Sequence, residues 1–308
     1  MKMKKTSFRV PSTDGIHTLS GVVYRPDGKP KGVLHVVHGM AEYIGRYDEF
    51  MTSCCEDGFL VCGYDHLGHG DTARDKGEYG FIAPKNGWRY LVKDVQAFRE
   101  AVGKHFGVSS PYVLMGHSMG SFVVRLAAAM NEKPDKLIVM GTGGKNPAAG
   151  AGIALAKVIE LFKGKKYISR LLVGLAFKGY NDRFSSDPEP DKVGWLTVDK
   201  ENRKRYLADE KSGFLFTVSG MRDLVTLNKK SGERKCFAAL SPSLPVLLVS
   251  GADDPVGNYG EGVKEVCRAM EKQGLHPQMK LYEGARHEIL QDFCKKEVTE
   301  DILAFLNA

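Results

Sequence analysis

"VLMGHSMGSFVVRLAAA", residues 113–129, is the stretch whose reading decides the fold. Tyr112 to Met115 form a short apolar run with a β-branched member, as a buried strand requires. Phe122, Val123, Leu126, Ala127 and Met130 then recur at helical spacing, with Arg125 on the other face. Between the two periods sits GHSMG, Gly116 to Gly120. At average glycine and serine usage such a GxSxG arises by accident in roughly one 300-residue chain in ten, so its weight comes from its context. That context predicts a strand, a sharp turn and a helix. In such a turn the serine is strained, and glycine is needed on both sides because a side chain would strike the neighbouring strand or helix. The hydroxyl is thereby lifted onto a helix N-terminus, whose positive partial charge favours a developing anion.

Working outward, "FRVPSTDGIHTLSGVVYRPDGKPKG" alternates like a hairpin, and Val33 to Val37 reads as a central strand followed by the turn His38-Gly39. A helix is expected near Tyr47, a second strand and glycine-rich loop in "GFLVCGYDHLGHGDTA", and an amphipathic helix in "GWRYLVKDVQAFREAVGKHF". "DKLIVMGTG" is the next strand. From about Lys145 to Leu240 the pattern is mostly helical, broken by "NDRFSSDPEPDKVG", and strand alternation resumes with "LPVLLVSGADDPVG", "QMKLYEG" and a last helix through "EVTEDILAFLNA". Strands alternating with helices imply right-handed crossovers and a parallel sheet covered on both faces. The organisation expected is a sheet domain in two parts, 1–143 and 241–308, with a helical lid inserted at 144–240.

Length and composition narrow the function classes. A chain of 308 residues with 43% hydrophobic and 26% charged residues is an ordinary globular protein. The basic opening "MKMKKTSFRVPSTDG" has no apolar stretch behind it, and no run approaches the ~18 apolar residues of a spanning helix, so a cytoplasmic protein is expected. Six cysteines form no CxxC pair and none lies near a histidine at ligand spacing, which points to reduced thiols and to no metal. The net charge of +7 is concentrated: residues 144–240 carry 19 Lys and Arg against 11 Asp and Glu. Those lysines are interleaved with aliphatic helix faces and lack a platform of aromatics for stacking bases, which argues against nucleic acid.

In an open parallel sheet, ligands bind beyond the carboxyl ends of the strands. HGMAE, GHSMG, GADDPVG and GARHE leave such ends. A serine hydroxyl needs an imidazole base, and the imidazole needs a carboxylate to fix its tautomer. Ser118, then Asp253 or Asp254, then His287 supply them in the chain order of an α/β-hydrolase. Acyl transfer also needs two donors for the oxyanion, worth about 3–4 kcal/mol each. The backbone N–H of Met119 is one, and that of Met40, after His38-Gly39, is the second.

HGMAEYIGRY, YDHLGHGDT, GHSMGSF, SGADDPVG and YEGARHE follow one another as in the monoacylglycerol lipase and lysophospholipase family of α/β-hydrolases, which the chain resembles over almost its full length. The resemblance implies Ser118 as nucleophile, Asp254 as acid, His287 as base, Met40 and Met119 as oxyanion donors, and no cofactor. It puts Glu42 and Arg46 near the site, either as substrate contacts or as an ion pair shaping the loop. His66, His69 and His117 fall in the same motifs and are read as structural hydrogen bonders. The substrate implied is a lipid-like ester of glycerol or a lysophospholipid. A carboxylesterase for short or aromatic acyl esters is the nearest alternative, and a catalytically silent binding protein of the same fold is the alternative from another class. In the lid, Ile153, Val158, Ile159, Leu161 and Phe162, then Leu171, Leu172, Leu175 and Phe177, form apolar faces. They either pack the lid down or meet acyl chains and lipid, with the basic residues resting on anionic lipid or serving solubility.

Overall fold

Apolar strands that alternate between two helix layers build the scaffold. The computed structural model describes residues 3–130, 132–187 and 191–308. It opens with the expected hairpin, β1 (Met3–Pro11) and β2 (Thr18–Pro26), paired antiparallel from Met3↔Pro26 to Pro11↔Thr18. β3 (Val33–Val37), α1 (Asp48–Glu56), β4 (Leu60–Tyr64), α2 (Gly87–Phe106), β5 (Tyr112–His117), α3 (Met119–Met130) and β6 (Lys136–Met140) follow. Then come α4 (Ala149–Lys163), α5 (Arg170–Ala176), α6 (Lys200–Ala208), α7 (Val218–Ser231) and α8 (Arg234–Ala238). β7 (Val246–Gly251), α9 (Glu261–Glu271), β8 (Gln278–Tyr282) and α10 (Lys295–Asn307) complete the chain.

Among the described residues the eight strands form one sheet in the order β1-β2-β4-β3-β5-β6-β7-β8. β2 is antiparallel to both its neighbours, and β3 to β8 run parallel. In β5, Tyr112 and Leu114 join the core beneath α2, α3 and α9, while Val113 and Met115 join the core beneath α1 and α10. A side-chain period of two with both faces covered explains why the strand reads as an unbroken apolar run. Because β4 and β5 lie on opposite sides of β3, the chain reverses direction across the sheet there. A reversal of this kind is where ligands of open α/β sheets bind, at the strands' carboxyl ends.

The turn after β5 is tight for the reason its glycines suggest. A methyl group at Gly116 would lie 2.3 Å from the Gly120 carbonyl oxygen, and one at Gly120 would lie 2.2 Å from the Val37 carbonyl oxygen. Ser118 between them has φ +53°, a left-handed conformation that costs a residue with a Cβ about 1–2 kcal/mol.

The segment between β6 and β7 is helical throughout its regular structure, and its two ends differ. α7 packs along α4, α3 and α2, with Val218, Met221 and Leu227 in the same core as the sheet. That packing corrects the expectation for Arg125, which is fully buried and donates to the carbonyls of Ser121 and Ser231 at 3.4 and 3.3 Å. A helix covered by α7 and α8 as well as by the sheet has no solvent face, and burial pushes the guanidinium down to about 10. α4, by contrast, leaves Val158, Leu161 and Phe162 exposed. Gly120→Ala is expected to cost several kcal/mol in urea unfolding, because backbone must move to admit the methyl group. Gly150→Ala, on exposed α4 with nothing within 4 Å, is expected to stabilise by about 0.4–1 kcal/mol in the same experiment.

Candidate active site

Three loops at the carboxyl edge of the sheet carry the residues singled out by the sequence. Ser118, half-buried, occupies the turn between β5 and α3, its N–H donating to the Met140 carbonyl at 3.0 Å. Asp254 follows β7 and His287 follows β8. The His287 Nδ1 lies 2.9 Å from the Asp254 Oδ2, both side chains sealed from solvent. Asp254 also accepts the Val256 N–H at 2.8 Å and the Ser250 hydroxyl at 3.2 Å, so its carboxylate is held in one orientation. Asp253 instead anchors its loop through its N–H, 3.0 Å from the Ala285 carbonyl. His117, next to Ser118 in the chain, reaches the loop after β8: its Nε2 donates to the His287 carbonyl at 3.2 Å, and the two rings are 4.7 Å apart.

The loop after β3 presses against the serine. A methyl group at Gly39 would lie 3.0 Å from the Ser118 Cβ. The Gly39 N–H donates to Glu42 at 2.6 Å and the Ala41 N–H to the His69 Nε2 at 3.2 Å. The N–H of Met40, between them, finds no acceptor among the described residues. Nor does that of Met119, whose place at the first turn of α3 denies it an intrahelical partner. Two backbone donors are thus left unspent, one directly after Ser118 and one in the loop that presses against it.

Buried histidines brace this loop in their neutral form. His38 donates from Nδ1 to the Gly39 carbonyl at 2.8 Å and accepts the His66 N–H on Nε2 at 2.9 Å. His69 donates from Nδ1 to the Leu67 carbonyl at 2.9 Å and accepts from Ala41 on Nε2. A ring nitrogen that accepts carries no proton, and burial agrees: it lowers the His38 pKa and pushes His69 down to about 3. His69 and His117 are therefore hydrogen bonders as expected. His66 differs, since its ring nitrogens have no partner among the described residues and it takes part through its backbone, the N–H donating to His38 and the carbonyl accepting from the His69 N–H at 3.0 Å.

Glu42 and Arg46 belong to a charged cluster behind the loop. Besides Gly39, Glu42 accepts the Tyr47 hydroxyl at 2.9 Å, Arg46 at 3.1 Å and the His117 Nδ1 at 3.2 Å. Arg46 makes a second, bidentate pair with Glu288 at 2.5 and 2.9 Å and lies over the Tyr206 ring. Burial opposes every charge here, yet for Glu42 the proton of His117 and the charge of Arg46 prevail and hold its carboxyl well below the usual range. His117 is raised in turn, burial being outweighed by its bond to Glu42. Of the two roles open to Glu42 and Arg46, this geometry favours shaping the loop.

The sheet order, the left-handed serine and the Asp254–His287 pair bear directly on ancestry. A family model described as serine aminopeptidase S33 matches residues 28–293. The chain belongs to this S33 family of α/β-hydrolases. Among curated relatives, a monoacylglycerol lipase of Mycolicibacterium smegmatis is 26% identical over 96% of this chain and 98% of its own. Human monoglyceride lipase is 25% identical over 92% of this chain and 84% of its own. Among solved structures, a thermostable carboxyl esterase from Bacillus coagulans in complex with glycerol superposes with a TM-score of 0.90 at 29% identity, covering 100% of this chain and 98% of the other.

One neighbour of His287 escaped the sequence. Trp195, just past the break read at 181–194, lies against the loop after β8: the Trp195 and Leu196 carbonyls accept the N–H groups of His287 and Glu288 at 3.4 and 2.7 Å. The Trp195 ring is 5.2 Å from that of His287. Only the rarity of tryptophan, two in the chain, could have drawn attention to it.

The neutral histidines have a consequence for stability. His69 takes up a proton on unfolding, its pKa rising from about 3 to the ordinary ~6.5, so its contribution is present above pH 6.5 and lost as pH falls toward 3. Asp94 and Asp223, pushed up to about 6 and about 7 by burial, act in the opposite sense, so the test is a difference. His69→Gln should lose stability less steeply than the parent between pH 6 and 4, by up to about 1.4 kcal/mol per pH unit in urea titrations.

Proposed function

We propose that the protein is a serine hydrolase of acylglycerol or lysophospholipid esters, acting through Ser118, His287 and Asp254. The observation that carries this reading is the buried 2.9 Å contact between His287 and Asp254, beside a serine held at φ +53° at the head of a helix. With Nδ1–H given to Asp254, His287 presents a bare Nε2 as base. It takes the Ser118 proton as the hydroxyl oxygen attacks the ester carbonyl, and the Met119 and Met40 N–H groups hold the oxyanion. The imidazolium then protonates the departing alcohol. Water, deprotonated by the same nitrogen, hydrolyses the acyl-enzyme and restores the serine. The mycobacterial and human relatives support an acylglycerol; the B. coagulans esterase supports the second reading, a carboxylesterase for short esters.

A fluorophosphonate probe is expected to label the protein and to fail on Ser118→Ala. Hydrolysis of monoacylglycerols and aryl esters across chain length should peak at medium or long chains; a peak at two to four carbons without monoacylglycerol activity would select the esterase.

The inserted helices are read as a lid over residues 144–240, working in the cytoplasm against membrane lipid. Leu161 and Phe162 of α4 are 80% and 77% exposed, Leu171 and Leu175 of α5 are 59% and 57% exposed, and Lys157, Lys163, Lys165, Lys166 and Arg170 stand around them. Leu172 alone among these leucines turns inward. An apolar face ringed by cations suits an anionic bilayer, each Lys or Arg adding about 1 kcal/mol. No helix among the described residues is long and apolar enough to cross a membrane. Sedimentation should show tighter binding to vesicles containing phosphatidylserine than to neutral ones, and the difference should shrink in high salt.

A further inference from the structure

His287 is held from two sides. On the sheet side, the His117 ring lies 4.7 Å away and its Nε2 grips the His287 carbonyl. The inserted segment supplies a second neighbour, the Trp195 ring at 5.2 Å, and the Trp195 carbonyl to the His287 N–H. Both neighbouring rings are tilted 39° to the imidazole. Trp195 itself is fixed by its N–H to the Asn181 Oδ1 at 3.0 Å and by the ring of Tyr180, edge-on at 5.2 Å.

A clasp beside the base holds this arrangement. Arg286, the residue before His287, donates to both carboxylate oxygens of Asp187 at 2.9 and 3.1 Å and to the Gly194 carbonyl at 2.6 Å. Its guanidinium lies 3.9 Å over the Phe184 ring. Arg203 of α6 adds contacts to Asp187 and Asp191 at 3.4 and 2.8 Å. The residue preceding the base is thereby tied to the residue preceding Trp195.

We propose that Trp195 is a positioning residue for His287, kept in place by the Arg286–Asp187 pair. The proposal rests on the reading of Ser118, His287 and Asp254 as the reacting triad. One hydrogen bond to Asp254 fixes one point of the imidazole and leaves the ring free to rock about it. Two rings packed against the imidazole, with its backbone gripped at both N–H and carbonyl, restrict that freedom, and with it the spread of distances between Nε2 and the serine hydroxyl. An arrangement of this kind acts on the chemical step and not on substrate affinity.

The test compares Trp195→Ala, Trp195→Phe and Asp187→Asn with the parent, using the inactivation rate by a fluorophosphonate and kcat and KM on p-nitrophenyl acetate and p-nitrophenyl octanoate. Trp195→Ala is expected to lower kcat and the inactivation rate by roughly ten- to a hundredfold, by the same factor for both esters and with KM nearly unchanged. Phenylalanine should restore most of the rate. Asp187→Asn, distant from substrate, should give a smaller loss that adds little in the double variant. Unaltered inactivation of Trp195→Ala, or a loss confined to KM or to one chain length, overturns the proposal. If Trp195→Ala does not fold, an unchanged kcat in Asp187→Asn overturns it equally. Failure of the parent to react with the probe would instead refute the serine hydrolase reading.

Discussion

One carboxylate, that of Glu42, ties together the loops on which this site is built. It accepts from the backbone of the loop after β3, from Tyr47 at the entrance to α1, and from His117 at the turn before α3, while Arg46 relays its charge to Glu288, next to His287. The side chain is 5% exposed, so its ionised form survives only because each oxygen has partners. Losing one partner of such a buried pair costs about 3–5 kcal/mol, a large share of a domain's stability. The network stands behind Ser118 and His287 and ties together loops that leave different strands of the sheet.

Much of this was legible in the sequence because it depends on local constraints. The helix over Gly87–Phe106 shows itself by its apolar period, and β3 by its five consecutive buried residues. The turn at Ser118 is legible because close backbone approach leaves glycine as the one residue type without a clash. Asp254 and His287 sit 33 positions apart, yet each lies just past a strand of a parallel sheet, and such ends converge by topology.

What stayed hidden depends on packing between distant segments. Arg125 falls on the polar side of its own helix, and its own period says nothing of α7 and α8, which cover that side. Glu288 is one charge among 37 acidic residues until the fold sets it beside Arg46. Trp195 lies in a stretch without period, rich in proline and aspartate, where no sequence rule assigns a partner. Its place against His287 comes from contacts that span 92 positions, from Gly194 to Arg286.

The division of the inserted helices has a bearing on how the molecule breathes. Phe216, Val218 and Leu227 are wholly enclosed, and Met221 and Phe237 nearly so; detaching that end would return each to water at about 1.5–3 kcal/mol. The α4 and α5 end has no comparable anchorage along its outer face. The two ends therefore belong to different tiers of local unfolding: release of the first exposes a wholly enclosed apolar cluster, while release of the second, held to α7 by the Glu160–Arg222 pair and few buried side chains, returns far less apolar surface to water.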